Sequence, residues 1–206
     1  KVWGGYTLTY STLDDQKHPT EGLIASATQQ YVGWDFNYIK SDVRARYFLP
    51  LMDDAGIVAS VKGQAGIIND LSGAGIHPVE ALYHGPSLVR GFEARGIGPR
   101  LAGTGEAIGT TWYAGLSAEL QAPVPFLPES YGLALAVWAD AAYVGGAGAA
   151  GPIDPLSTDN PLKASVGASI IWDGPFGPLR GDFAYVLSKA TNDRTQVFQL
   201  TLQTLL

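Results

Sequence analysis

Three ionisable residues stand apart in this sequence. Arg90 lies in the run Leu88-Val89-Arg90-Gly91-Phe92, inside a long Gly- and Pro-rich segment, while Glu119 and Asp140 follow in strand-like runs whose opposite faces are nearly all apolar. A guanidinium offers a rigid fork of donors suited to a carboxylate, a geometry that lysine cannot reproduce. The chemistry expected of the three is an ion pair between the inserted cation and the two acids; the plainer alternative is two unrelated wall charges facing water. Two carboxylates could also serve as a general acid and base. No nucleophile or oxyanion donor accompanies them, so no catalytic residue and no enzyme activity are expected. His18, His77 and His84 have no ligand spacing, cysteine is absent, and neither a metal site nor a thiolate centre is expected. Gly96-Ile97-Gly98 is not followed by a helical pattern and is no phosphate loop. No cofactor is expected.

The elements that must position these residues are strands. Hydrophobic residues make up 46% of the chain and charged residues 16%, with 26 Gly and 13 Pro among 206 residues. That composition argues against a helical bundle, and no apolar run approaches the ~20 residues of a membrane-spanning helix. The net charge of −6 makes a nucleic-acid partner unsuitable, since phosphate binding needs clustered cations. Alternation of period two runs through Val2–Leu13, Leu23–Val32, Asn37–Leu49 and the run from Ile57 to Ile67. It resumes over Thr111–Gln121, with Trp112, Ala114, Leu116, Ala118 and Leu120 outward and Tyr113, Gly115, Ser117, Glu119 and Gln121 inward. Leu133–Tyr143, Leu162–Asp173, Leu179–Leu187 and Arg194–Thr204 complete the set, with Arg180 and Asp182 inward and Phe183 and Tyr185 outward.

About nine strands of roughly 10 to 13 residues match the ~9 to 11 needed to cross a bilayer at a tilt and exceed the usual globular strand of about 5 or 6. The fold class expected is therefore all-β, an antiparallel transmembrane β-barrel of eight or nine strands, in a single domain over residues 1–206. Brief turns at Asp14–Gly22, Pro50–Gly56, Pro123–Ser130 and Gly174–Pro178 alternate with longer loops at Asp70–Gly109 and Gly145–Pro161, as in outer-membrane barrels; the turn at Pro50–Gly56 reads as an exception, falling where an outer loop belongs. Tyr10, Tyr31, Trp34 and Tyr143 near strand ends suit an aromatic girdle, with ordinary core packing as the alternative. Nine antiparallel strands cannot close with an antiparallel seam, so either one run is not a barrel strand or the chain is the C-terminal part of a bigger barrel, in which case oligomerisation could complete a ring. No leader is visible at Lys1-Val2-Trp3; either it has been removed or the chain is an internal piece of a longer one.

The block Gly85-Pro86-Ser87-Leu88-Val89-Arg90-Gly91-Phe92, continued by Gly96-Ile97-Gly98-Pro99-Arg100, resembles the sixth extracellular loop of the BamA family of outer-membrane protein assembly factors, particularly its proteobacterial members. The runs Gly115–Pro123, Ala136–Ala141, Trp172–Tyr185 and Asp193–Gln199 are similar to that family in the same order, as is Asn37-Tyr38 through Tyr47-Phe48-Leu49-Pro50. The resemblance implies the last nine or so strands of a sixteen-stranded barrel in the bacterial outer membrane, acting without enzymatic chemistry in the folding and insertion of other outer-membrane proteins. It implies that the loop 70–109 folds into the lumen, that Val89, Gly91 and Phe92 belong to the loop motif, and that Arg90 meets Glu119 and Asp140 on the inner wall. Its implied partners are the lipid bilayer, nascent outer-membrane proteins and assembly-machinery lipoproteins. The C-terminal Leu202-Gln203-Thr204-Leu205-Leu206 departs from the family, which ends in an aromatic residue. The other reading is a stand-alone small barrel derived from the same family, with a structural or narrow-pore role.

Overall fold

A computed structural model describes residues 2–33, 37–52, 55–73, 76, 78–128, 131–148, 151–174 and 177–202. Trp34, His77, the turn residues 175–176 and the C-terminal residues 203–206 lie outside the described residues. The elements are β1 (Val2–Ser11), β2 (Gly22–Gly33), β3 (Tyr38–Met52), β4 (Ile57–Asp70), β5 (Trp112–Pro123), β6 (Leu133–Gly145), β7 (Leu162–Gly174), β8 (Gly177–Ser188) and β9 (Phe198–Leu202). They form one nine-stranded sheet in sequence order, each strand antiparallel to the next. A single sheet rules out a sandwich of two packed sheets.

Period-two alternation governs both faces of the sheet. Leu116, Val137 and Tyr185 are 58%, 56% and 71% exposed on the outer face, an apolar belt of the kind that meets hydrocarbon. The inner face is polar, and the sheet curls so that its far parts approach one another: His18 in the β1–β2 turn lies 3.2 Å from Asp173 near the end of β7. The long segment after β4 turns into the concave side. Leu82, Leu88, Val89, Phe92 and Ile97 of that segment form one apolar cluster with Val32, Tyr38, Ile68, Tyr113, Ala142 and Val144 of the wall. The principal core therefore lies between an inserted loop and the sheet that surrounds it.

Four features differ from the sequence reading. β3 continues through Pro50 to Met52 instead of turning at Pro50; its pairing with β2 ends at Phe48, so from there β4 is its only strand partner among the described residues and a residue lacking an N–H is tolerated on the open side. The turn after β3 is no exception to the loop pattern. In an antiparallel meander it emerges at the same end as the β1–β2, β5–β6 and β7–β8 turns, and the departure is the short connection between Gly33 and Tyr38, which shares its end with the long loops. The last strand begins at Phe198 and not at Arg194, because Thr195 bridges Phe92 of the inserted loop. Finally, among the described residues no pairing joins β1 to β9: the sheet is open, and an eight-stranded closed ring is not formed.

Candidate functional site

β5 to β8 bring the site together by register. Asp140 on β6 stands opposite Ser117 on β5 and Ser165 on β7, and Asp182 on β8 stands opposite Ser169. All point inward because each lies at the same parity of its strand. On β7 the inward series Lys163, Ser165, Gly167, Ser169 gives four consecutive positions against which the loop and its partners rest. Gly167 is required by space: a Cβ there would strike the Trp138 ring and the Phe183 carbonyl.

Arg90 reaches this wall from the inserted loop. Its Nε donates to Asp140 Oδ2 at 2.8 Å and its Nη2 to Asp140 Oδ1 at 2.7 Å, a two-point fork. The Arg90 backbone N–H donates to the same carboxylate at 3.0 Å. Nη1 donates to Glu119 Oε2 at 2.6 Å and Nη2 also to Ser117 Oγ at 3.0 Å. The guanidinium lies over the Trp138 ring, 3.9 Å from its centroid, a favourable stacking of cation on π face. Ser165 Oγ donates to the Arg90 carbonyl at 2.6 Å, so backbone and side chain are both gripped. Val89 and Phe92 are fully buried at 0% exposure. Gly91 adopts φ +91°, and a Cβ there would come within 2.8 Å of Ala184 Cβ; both facts favour glycine.

Alternation placed Arg180 and Asp182 in the lumen but left their partners unread. Arg180 spans Glu119 with two bonds, Nη1 to Oε1 at 2.9 Å and Nη2 to Oε2 at 2.7 Å, and its Nε donates to Asp182 at 2.8 Å. Ser169 ties the lower part together, accepting from Trp138 Nε1 at 2.8 Å and donating to Asp182. Arg46 from β3 approaches Glu119 at 3.4 Å. Three guanidinium groups (Arg46, Arg90, Arg180) thus meet three carboxylates (Glu119, Asp140, Asp182), a neutral and extensively hydrogen-bonded cluster. Such a cluster fixes geometry more than it adds net stability, yet removing one member leaves a buried charge uncompensated. Its chemistry is that of a latch.

The other singled-out residues fall elsewhere. His84 is buried in the loop, its Nε2 2.7 Å from Thr110 Oγ1 and its ring 4.6 Å from that of Tyr113; burial, with a smaller contribution from nearby Lys40, pushes its pKa down to about 4. His18 lies in the β1–β2 turn beside Asp173. Among the described residues no group of His, Asp or Glu could hold a metal ion. Tyr10, Tyr31 and Tyr143 are exposed near strand ends.

A family model described as the Omp85 superfamily domain matches residues 2–204. The chain is 28% identical over 193 residues to the outer membrane protein assembly factor BamA of Neorickettsia risticii (strain Illinois), covering 93% of this chain and 25% of that protein. It is 27% identical over 216 residues to BamA of Neisseria meningitidis serogroup B, covering 93% and 27%. A SAM50-like protein of Drosophila melanogaster is 30% identical over 125 residues, 59% of this chain and 27% of that protein. Among solved structures, BamA from Haemophilus ducreyi lacking POTRA domains 1–3 superposes with a TM-score of 0.79 at 22% identity, covering 95% of this chain and 41% of that one. The chain spans about a quarter of the length of the curated relatives it matches.

Proposed function

The chain belongs to the Omp85 superfamily, and from that premise we propose that it is the C-terminal barrel part of a BamA-type factor that assembles and inserts outer-membrane proteins. Its place is the bacterial outer membrane, with the apolar outer belt against lipid and the inserted loop in the lumen. The factor works on nascent outer-membrane proteins through strand templating and local disturbance of the bilayer, without enzymatic chemistry, and together with assembly-machinery lipoproteins.

The observation that carries this reading is the loop docked by Arg90 on Asp140 and Glu119. A barrel that must deform around a client gains from an internal brace that keeps the β5–β8 wall in shape. The test is complementation: the full-length protein carrying Arg90→Ala replaces the native copy, and assembly of outer-membrane porins is followed by their heat-modifiable migration. Assembly is expected to fall at unchanged levels of the factor itself. Wild-type rates would overturn the assignment.

A further inference from the structure

A second buried ion pair lies at the loop end of the wall, its acid standing first in the Asp193–Gln199 run. Lys163 opens the inward series of β7, and its Nζ stands 2.7 Å from Asp193 Oδ2, the two side chains being 1% and 0% exposed. Lys163 Nζ also donates to the Asn160 carbonyl at 2.5 Å. The Asp193 carboxylate accepts from the Ala190 N–H at 2.7 Å and from the Gly98 N–H of the inserted loop at 3.4 Å. Asp193 belongs to the β8–β9 connection, and the residues that follow it run along the loop. Arg194 N–H donates to Gly96 O at 3.0 Å, Glu93 N–H to Arg194 O at 3.0 Å and Gln196 N–H to Gly91 O at 2.9 Å. Phe92 and Thr195 form a bridge pair, and Gln199 Nε2 donates to the Phe92 carbonyl at 2.6 Å. A short two-stranded ladder therefore starts one residue beyond Arg90.

We propose that Lys163 and Asp193 are positioning residues for the inserted loop: their ion pair holds the β8–β9 connection as a docking strand, and that strand aims Arg90 at Glu119 and Asp140. The physical reason is geometric. Arg90 needs a defined backbone position to place three donors on one carboxylate, and the latch residues touch only its own peptide and side chain. The ladder supplies the direction of the chain leaving Arg90, and a ladder needs a fixed partner. The β8–β9 connection has no regular structure over 189–197: Thr191 and Asn192 hold its tip to Asp159, Asp154 and Leu156 of the β6–β7 loop, and next to the ladder the Asp193 carboxylate fixes it by joining Lys163 of the wall, the Ala190 amide of its own turn and the Gly98 amide of the inserted loop. A buried ion pair contributes little net stability but specifies one arrangement, which suits this task. The consequence for client assembly rests on the function proposed above; the aiming of Arg90 does not.

The test uses the full-length factor in an otherwise cysteine-free form carrying Glu93→Cys and Arg194→Cys, residues that face each other across the ladder and are both exposed. The rate of disulfide formation in membranes reports docking, and heat-modifiable migration of the factor reports folding. Asp193→Asn and Lys163→Met are each expected to slow cross-linking at least roughly tenfold, as loss of one partner of a buried pair requires, with Lys163→Arg restoring it. Unchanged cross-linking in folded Asp193→Asn and Lys163→Met overturns the proposal. Failure of both variants to reach the folded form would make the pair a folding element and would overturn it equally. Slowed cross-linking with unimpaired client assembly supports the positioning role while overturning the function assigned to the docked loop.

Discussion

At Arg90 the backbone N–H and two guanidinium nitrogens converge on one carboxylate, that of Asp140. An ammonium at the end of a flexible stem cannot make the two-point fork and reach Glu119 as well. Arg90→Lys is therefore expected to keep the charge and still release the loop, and Arg90→Ala to cost about 3 to 5 kcal/mol because Glu119 and Asp140 are left buried with one cation fewer. Protease cutting within the loop of the folded protein measures both; equal resistance of Arg90→Lys and wild type would show that charge alone suffices. His84 gives the loop a pH dependence of definite sign. Its folded pKa is lowered to about 4 from an ordinary value of about 6.5, so between those values the undocked loop binds the extra proton. Stability from this residue is complete above about pH 6.5, declines as pH falls, and levels off below about 4, a loss of ~3 kcal/mol at 1.36 kcal/mol per unit. Loop protection measured from pH 7 to 4 should follow that course, and His84→Gln should flatten it.

At the scale of elements, β7 is the strand on which the site depends. Lys163, Ser165, Gly167 and Ser169 alternate inward and respectively hold Asp193, the Arg90 carbonyl, the space under Trp138, and the Asp182 carboxylate. Gly167→Val is expected to displace Trp138 and with it the surface on which Arg90 stacks, lowering thermal stability by roughly 1 to 3 kcal/mol as overpacking does; calorimetry in detergent measures this, and an unchanged transition would refute the tight fit. Period-two patterning made such faces legible from residue types alone, because a strand with one side in hydrocarbon must alternate. It showed that Glu119, Asp140, Arg180 and Asp182 share the lumen. It could not show that Arg180 spans Glu119, sixty-one positions away, since that depends on the curvature of three intervening strand pairs. Arg194–Val197 alternates as a strand would, yet residues 194–196 pair with the loop, and local pattern does not name a partner. Lys163 and Asp193 were hidden for the same reason: one sits at a strand end, the other in a connection without period.

Across the described residues, the loop is gripped on the β5–β9 side by the arginine latch and the ladder, and on the other side it packs against Val32, Tyr38 and Ile68 of β2 to β4, with Lys62 and Gln64 of β4 donating to the Ser87 carbonyl. β1 and β9 are both odd members of a meander and so point the same way. The inserted loop consequently acts as an off-centre strut. Bending compliance is unequal across these strands: the charged latch ties β5 to β8 together, whereas the contact of the loop with β2 to β4 is mainly apolar and yields more easily to shear. Amide hydrogen exchange of the full-length protein in lipid nanodiscs should show β5–β8 better protected than β2–β4, and Arg90→Ala should narrow that difference by softening β5–β8.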